Sequence, residues 1–211
     1  MSGDAHVRFR ERLGVKFPWA TRLVVGFEHE SDARRFWDAM RERLQKFSLS
    51  LHPDKTRLIE FGRYAATNRR QRGLGKPETF NFLGFTFICG KSLRGRFLLK
   101  RRSRRDRMKA KLKEVGGELR RRMHQSIPEQ GKWLKQVVTG YFAYHAVPTN
   151  SAALGAFREE ITVRWLKTLR RRSQKSALTW ARMKKLADNW LPRPRILHPW
   201  PNQRFAVKHP R

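Results

Sequence analysis

Residues 103–123 read SRRDRMKAKLKEVGGELRRRM, and this stretch sets the pattern for the second half of the chain. Its apolar side chains recur every three or four residues, the spacing of one helix face: Met108, Leu112, Val115, Leu119 and Met123. Ser103 and Asp106 stand in capping-box spacing, so this pair is expected to satisfy N–H groups of the first turn. Six of the eleven residues between these apolar positions are basic, against two that are acidic. Such a helix buries one side and offers the other side to a polyanion.

Three more amphipathic helices are predicted at about residues 128–146, 151–172 and 176–190. Pro128 suits a first helical turn. Asn150 or Ser151 can cap the second of these helices, and Ser176 can cap the third. Their predicted inner faces consist of Trp133, Val137, Val138, Tyr141, Phe142, Leu154, Phe157, Ile161, Trp165, Leu169, Trp180, Met183 and Leu186. Residues 101–190 are therefore predicted to be all-α. The basic, Pro-rich tail at 191–211 is expected to be extended and partly packed.

The first hundred residues alternate between strand and helix patterns. Residues 1–18 show no convincing period and are predicted to be irregular. A helix is predicted from Ser31 onward, with an apolar stripe of Phe36, Trp37, Met40, Leu44 and Phe47. A loop is predicted at residues 62–77. Strands are predicted at residues 23–27, 49–51, 57–61, 80–88 and 96–100. The predicted fold class is α+β, with the strands confined to the first half of the chain.

The composition is that of a folded and strongly basic chain. Of 211 residues, 39% are hydrophobic and 11% are aromatic, and the formal net charge is +32. Such self-repulsion favours a polyanionic partner, either nucleic acid or an anionic membrane surface. The apolar faces are numerous enough to pack on one another, so RNA is the predicted partner and no membrane is expected. A single Cys, no secretory leader and no spanning apolar run predict a cytoplasmic protein.

Four stretches of this chain resemble the bacterial group II intron reverse transcriptases, or maturases: residues 49–61 (LSLHPDKTRLIEF), 80–87 (FNFLGFTF), 133–150 (WLKQVVTGYFAYHAVPTN) and 191–201 (LPRPRILHPWP). The first two are similar to the family's sixth and seventh reverse-transcriptase motifs. The third is similar to its maturase-specific domain X, or thumb, and the fourth to its tail. The resemblance covers about residues 19–211. It implies a C-terminal fragment with a partial antiparallel palm at 19–100 and a helical thumb bundle at 101–190.

The chain departs from this family at the catalytic motif. The family has Tyr-Ala-Asp-Asp immediately before the strand that matches residues 23–27, whereas this chain has Trp19, Ala20, Thr21 and Arg22. Polymerase chemistry needs clustered carboxylates that hold two divalent ions. Because Thr21 and Arg22 occupy the expected Asp positions, no catalytic residue and no reverse transcription by this chain alone are predicted. No cofactor is expected either, since Mg²⁺ belongs to a full-length active family member.

The basic residues are concentrated in one region. Between residues 91 and 122 there are 15 Lys or Arg and three acidic residues. A run of charged residues usually forms a solvated helix face. Here the excess of basic over acidic residues is too large for the charges to pair in salt bridges, so it favours contact with phosphates. Tyr144 and His145 lie near the edge of the apolar stripe of the second predicted helix and either pack there or stack on unpaired bases. The predicted RNA-binding residues are Lys55, Arg101, Arg102, Arg104, Arg105, Lys109, Lys113, Arg120, Tyr144, His145, Arg164, Lys167, Arg170, Arg171 and Arg172.

Two further features of the family have counterparts in this chain, and each counterpart has both a functional and a structural interpretation. Lys55 matches a Lys that lies near the incoming nucleotide in the family, and it is otherwise a solvated turn residue. The primer grip is matched by Phe82, Leu83, Gly84 and Phe85. Gly84 either allows a nucleic-acid backbone to approach closely or tolerates a bulge, and the Phe residues of this strand are predicted to be core. Seven scattered His and one Cys have no ligand spacing, so no metal site is predicted.

The predicted function is RNA binding by a relative of the maturases, with group II intron RNA as the partner and DNA as a second candidate. Such a protein would assist splicing by favouring the folded intron, since in this family the ribozyme performs the chemistry. Two alternatives are a decayed fragment without function and a general nucleic-acid-binding protein. A third is an enzyme completed by a separate fingers–palm fragment, so enzymatic activity stays an open question at this point.

Overall fold

The computed structural model describes residues 5–10, 22–172, 177–201 and 203 of the chain. The chain divides into two compact units, Met1–Lys100 and Arg101–Arg211. Six α-helices and two three-stranded sheets are formed by the described residues. The strands all lie in the first 103 residues, and the long helices α3 to α6 follow them. The protein is therefore of mixed α and β structure, consistent with the predicted α+β class.

The first sheet of unit 1 has the strand order β2-β1-β3, with β1 (Ala5–Arg10) between β2 (Arg22–Phe27) and β3 (Arg57–Glu60). Both pairings are antiparallel, and Val7 lies opposite Val25 on one side and Leu58 on the other. The prediction that residues 1–18 are irregular is therefore wrong for 5–10. The stretch AHVRFR has apolar residues at Ala5, Val7 and Phe9, but the alternation covers only six residues and includes just two large side chains, so its strand pattern is weak.

Helix α1 (Glu30–Gln45) packs on β1 and β2 of this sheet. Ala33 is fully buried, and Phe36, Trp37 and Met40 pack around it as the apolar stripe predicted. Phe47 does not belong to the stripe, because the helix ends at Gln45 and the Phe47 side chain is 66% exposed. The backbone reverses at Ser48, whose φ is 55°.

Two predictions for residues 49–77 are wrong. No strand forms at residues 49–51, which lead into a short 3₁₀ turn at Pro53–Lys55. The predicted loop contains helix α2 (Ala65–Gln71). This helix is only 7 residues long, and Gly and Arg residues flank it on both sides. A helix of two turns produces too little apolar periodicity to stand out from such a background.

The second sheet has the order β4-β5-β6, with β4 (Phe80–Phe82), β5 (Phe85–Lys91) and β6 (Phe97–Ser103). The predicted continuous strand at 80–88 is wrong, since Leu83 and Gly84 form a two-residue hairpin turn and Phe82 pairs with Phe85. Their φ angles of 43° and 78° are those that a tight hairpin of this length requires. The Phe residues do form core, as predicted: Phe80 stacks on Phe87 with ring centroids 4.9 Å apart.

Unit 2 is built from four helices: α3 (Arg105–Arg121), α4 (Ile127–His145), α5 (Ser151–Arg170) and α6 (Trp180–Trp190). Helix α5 packs against each of the other three. Phe157, Ile161 and Trp165 on this helix are fully buried, and the predicted inner faces of α3 and α4 close around them. Trp180 is the exception to the prediction for α6, because its side chain is 38% exposed.

Asn150 stands at the predicted N-cap position of α5, although its side chain makes no capping hydrogen bond there. The caps of the other predicted helices differ from those expected. Ser103 ends β6 and makes no capping box with Asp106, and α3 begins after Arg104 without a side-chain cap. A complete capping box forms instead at Ser126 and Glu129, ahead of α4. Helix α6 is capped by Thr179, whose hydroxyl accepts a hydrogen bond from the Arg182 N–H. The predicted cap Ser176 lies outside the described residues.

The described part of the tail is partly packed, as predicted, but the expectation of an extended tail is wrong at Pro201 and Gln203, which are helical. Leu191 is buried against the helical core, and Pro192 to Pro199 form neither helix nor strand. The backbone N–H groups of Leu197 and His198 both donate to the Ala146 carbonyl, at 3.0 and 3.1 Å. The tail therefore satisfies a carbonyl at the C-terminal end of α4, where no intrahelical donor is available.

Candidate nucleic-acid interface

Helices α3 and α5 run side by side and parallel. Near their N-terminal ends, the Ser103 N–H donates to the Asn150 side-chain oxygen at 2.9 Å. In the middle, the Arg164 side chain lies over Gly116, close enough that a Cβ there would be 3.7 Å from its Cδ. Beyond their C-terminal ends, Arg172 donates to the Gln125 carbonyl. Each pair is 47 or 48 residues apart in sequence, so the two helices keep one register along their length.

This register brings two rows of cations together on one side of the helix pair. Lys109, Lys113 and Arg120 are exposed and follow helical spacing along α3, next to the row that contains Gly116. Lys167 and Arg171 are exposed on α5, on the same side as Arg164. Because Arg164 contacts Gly116, the two rows adjoin. We refer to these residues as the α3–α5 basic face: Lys109, Lys113, Arg120, Arg164, Lys167 and Arg171.

The α3–α5 basic face is poor in acidic partners. Among the described residues, Arg164 is the one member with an ion pair, which it makes with Glu160. The opposite flank of α3 differs, because Glu114 pairs with Lys111 and Glu118 with two arginines. Hydrogen bonds from Arg121 and Arg122 hold the pKa of Glu118 below its usual value. From Lys109 to Arg120, the flank of α3 that adjoins α5 therefore carries three cations and no carboxylate.

Four of the predicted RNA-binding arginines have partners within unit 2. Arg104 makes a two-pronged ion pair with Asp106 at 2.5 and 3.0 Å. Arg170 donates to the Leu178 carbonyl at 3.0 Å, which joins the end of α5 to the segment before α6. Arg172 and Arg164 have the partners named above. Their charge adds to the local field, but their guanidinium groups already have protein partners.

The remaining predicted residues are spread over both units. Arg101 is half-buried on β6, where burial lowers its pKa, whereas Arg102 and Arg105 are exposed. Lys55 belongs to unit 1 and is half-buried at the end of the 3₁₀ turn. Thr21 lies outside the described residues, and Arg22 is the first residue of β2.

The residues that match the primer grip form the β4–β5 hairpin. Leu83 is 62% exposed at its tip, and Phe85 is buried beneath it. Gly84 therefore serves the turn, which needs its positive φ, and is not a glycine inside a continuous strand.

A groove of about 460 Å³ lies between α3 and α4, on the flank of α3 away from the basic face. Tyr144 is 51% exposed there. The His145 ring stacks on Tyr141 with centroids 4.1 Å apart, and Tyr144 meets His145 edge-on at 4.9 Å. The groove is lined by Arg107, Lys111, Gln136, Val137, Gly140, Tyr141, Tyr144 and His145. The sequence predicts Tyr144 and His145 as site residues, but it does not predict Arg107 and Lys111 as their neighbours. No pattern in the sequence shows that α3 lies beside α4.

The surroundings of His145 disfavour its protonated form. Burial lowers its pKa, and a hydrogen bond to the Tyr141 carbonyl opposes part of this effect. Since a carbonyl oxygen only accepts, the His145 Nδ1 at 3.2 Å donates in this bond.

A larger cavity of about 820 Å³ lies in unit 1 among α1, β3 and α2. Its lining mixes the carboxylates Glu30, Asp38, Glu60 and Glu78 with the cations Arg34, Arg41, Arg69 and Arg72. Several of these pair with each other, such as Arg34 with Glu30 and Arg72 with Glu60. This balance of charge does not favour a polyanion, so unit 2 holds the better candidate surface.

No protein-family model and no curated protein matches this chain. Among the described residues, no three His, Cys, Asp or Glu side chains cluster in a way that could hold a metal ion. No helix in that part of the chain is both long and apolar enough to cross a membrane.

Proposed function

We propose that this protein binds RNA, and that the α3–α5 basic face is its main contact surface. The observation that carries the proposal is the parallel register of α3 and α5, which gathers six cations and one carboxylate, Glu160, on one side. Lys109 and Arg120 are 11 residues apart, which is about 16 Å along a helix. A row of that length can follow several consecutive phosphates of one strand.

Physical arguments favour a nucleic acid over a membrane surface. A helix that lies in a membrane interface needs a bulky apolar face turned toward the lipid. The apolar faces of α3 and α5 are instead buried in the core of unit 2. A chain with a net charge of +32 is also expected to need a partner that carries many negative charges.

We further propose that the protein is related to the group II intron maturases and that group II intron RNA is its partner. Support for this comes from the four resembling stretches and from the order of a strand-rich unit followed by a helical one. In this proposal the protein stabilises a folded intron and leaves the splicing chemistry to the RNA. Because Thr21 and Arg22 stand where the family has its Asp pair, we expect no Mg²⁺-dependent primer extension by the isolated chain, and observed extension would refute that part.

The second candidate is a general nucleic-acid-binding protein. The observation that favours it is the spread of cations over both units, well beyond the α3–α5 basic face. Such a protein would bind duplex DNA and any RNA equally, whereas a relative of the maturases would prefer structured intron RNA.

The first test removes charge from the basic face. In one variant Lys113, Arg120, Lys167 and Arg171 are all replaced by Gln. In the matched control Arg182, Lys184, Lys185 and Arg195, which are exposed on α6 and the tail, are replaced in the same way. We expect the first variant to lose most of its affinity and to reduce the slope of log K against log salt by about 3. Equal losses in both variants would contradict the assignment of the main contact surface.

The second test is a competition between labelled group II intron RNA and an unrelated structured RNA of equal length, at near-physiological salt. A tenfold preference for the intron, about 1.4 kcal/mol, would support the relation to maturases. Equal binding of the two RNAs would favour the second candidate, a general nucleic-acid-binding protein. A chain without a cooperative thermal transition would point to the decayed fragment.

A further inference from the structure

We propose that the groove between α3 and α4 receives a single unpaired nucleotide of the bound RNA, with its base against Tyr144 and His145 and its phosphate near Arg107. This inference rests on the proposed RNA binding and adds a second, distinct subsite to it. The cations of the α3–α5 basic face suit phosphate groups, which paired and unpaired RNA both present. The groove offers contacts that only an unpaired base can make.

The aromatic wall of the groove suits a base. Tyr141 stacks on Phe157 with centroids 3.6 Å apart, and His145 stacks on Tyr141, so the His145 ring is fixed from below. Tyr144 stands edge-on to that ring and is half exposed to solvent. A base that is splayed out of a helix can stack on such aromatic side chains whatever its identity.

Gly140 supplies the space for the base. It is exposed on α4 between Gln136 and Tyr144, and a Cβ added to it would meet no atom within 4 Å. A glycine within a helix costs stability relative to alanine, and here its absent side chain keeps the groove open. The volume of about 460 Å³ lies within the range of pockets that hold small ligands.

The polar groups at the groove match the rest of a nucleotide. Arg107 is exposed on α3 at the edge of the groove, and among the described residues no carboxylate pairs with it. Lys111 lies one turn further along and pairs with Glu114 at 2.7 Å. The Gln136 amide contributes both donor and acceptor groups for a base edge. This set combines a stacking surface, a cation and an amide, which is the chemistry of single-nucleotide recognition in unpaired RNA.

The test uses the full chain and two RNA hairpins that differ in one nucleotide. One hairpin carries a single bulged 2-aminopurine, and the other has a fully paired stem of the same length. For the unaltered protein we expect tighter binding of the bulged hairpin and quenching of its fluorescence, because the base stacks. Two variants probe the groove: Gly140→Leu fills it, and Tyr144→Ala removes the exposed ring.

We expect both variants to weaken binding of the bulged hairpin by roughly 5- to 100-fold, the loss of one stacked base, and to abolish the quenching. Binding of the paired hairpin should stay at its original level. Tyr144→Phe, which retains the ring, should bind the bulge more tightly than Tyr144→Ala does. The control is Thr139→Leu, which places a leucine at an exposed position on another side of α4.

The outcomes separate this inference from the proposed function. If the unaltered protein binds both hairpins equally, or if both groove variants keep the preference and the quenching, the groove is not a nucleotide site and RNA binding by the basic face still stands. If the unaltered protein binds neither hairpin, the proposed function and the inference both fail.

Discussion

Gln130 is fully buried in unit 2, and both ends of its amide have partners. Its nitrogen donates to the Arg122 carbonyl at 2.6 Å, and its oxygen accepts from the Trp165 indole at 2.8 Å. Gln130→Leu would leave the buried Trp165 indole N–H without a partner and would remove one of the two hydrogen bonds that the Arg122 carbonyl accepts, the other coming from the Gln125 N–H. We expect this change to lower the free energy of unfolding by about 2–4 kcal/mol in a denaturant titration. Gln136→Leu, at an exposed position of the same helix, should change it by less than about 0.5 kcal/mol.

His145 makes stability depend on pH. Burial holds its pKa in the folded protein below the ordinary value, and the hydrogen bond to the Tyr141 carbonyl offsets only part of this effect. Below about pH 6.5 the unfolded chain therefore binds a proton that the folded chain resists. We expect the contribution of His145 to the free energy of unfolding to be complete above about pH 6.5. This contribution should be lost progressively as the pH falls below that value.

The comparison variant for this prediction is His145→Phe, which keeps a flat ring but cannot titrate. Thermal unfolding of both proteins from pH 8 to pH 5 isolates the effect, because the other six His residues are common to both. Parallel curves for the two proteins would show that His145 does not contribute to the pH dependence.

The sequence predicts the role of an individual site residue only where that role depends on the solvent exposure of its side chain. Lys109, Lys113 and Arg120 fall between the apolar positions of a strongly periodic helix, so their exposure follows from the pattern. The roles of Arg170 and Arg172 do not follow, because their partners are the backbone carbonyls of Leu178 and Gln125. No sequence pattern shows which backbone carbonyl accepts a hydrogen bond from a distant side chain.

At the scale of elements, α4 contains two glycines with opposite surroundings. A Cβ on Gly131 would lie 2.7 Å from Cγ of Trp190, which packs against it from α6. A Cβ on Gly140 would meet nothing. We expect Gly131→Ala to lower the free energy of unfolding by about 1–3 kcal/mol and Gly140→Ala to raise it by about 0.5–1 kcal/mol.

Both alanine variants have the same composition, so chemical denaturation compares them directly. An equal effect of the two substitutions would mean that α4 and α6 do not approach each other at Gly131.

Long amphipathic helices could be predicted from the sequence. Short elements, and elements whose apolar pattern fits two different structures, could not. Each of the four helices of unit 2 repeats its apolar spacing over several turns. Residues 80–88 alternate Phe with other residues, and this pattern fits one strand or a hairpin equally well. The turn at Leu83 and Gly84 decides between them, since a bulky residue at positive φ is not an expected turn signal.

At the scale of the whole molecule, salt should act on stability and on binding in opposite directions. The net charge of +32 repels itself, and added ions screen that repulsion. We expect the melting temperature of the free protein to rise between about 50 and 500 mM NaCl, while its affinity for RNA falls over the same range. Differential scanning fluorimetry and filter binding on one preparation would measure both, and a melting temperature that falls with salt would contradict the first part.

The division of the chain into a strand-rich and a helical part is visible in the sequence as a change of apolar spacing near residue 100. The surfaces within unit 2 are not visible there, because they depend on which helices are neighbours. The α3–α5 basic face needs the parallel register set by pairs such as Ser103 with Asn150, and the groove needs α3 beside α4. Neither pairing follows from the composition of a single helix.

The constant separation of 47 or 48 residues between partners on α3 and α5 also limits how this protein can change in length during evolution. One residue inserted into α3 turns everything after it by 100° and would carry Arg120 away from Lys167. A compensating insertion at the same level of α5 would restore the match. Among natural relatives, insertions and deletions should therefore occur in the connections at 122–126 and 146–149, or as paired changes in the two helices.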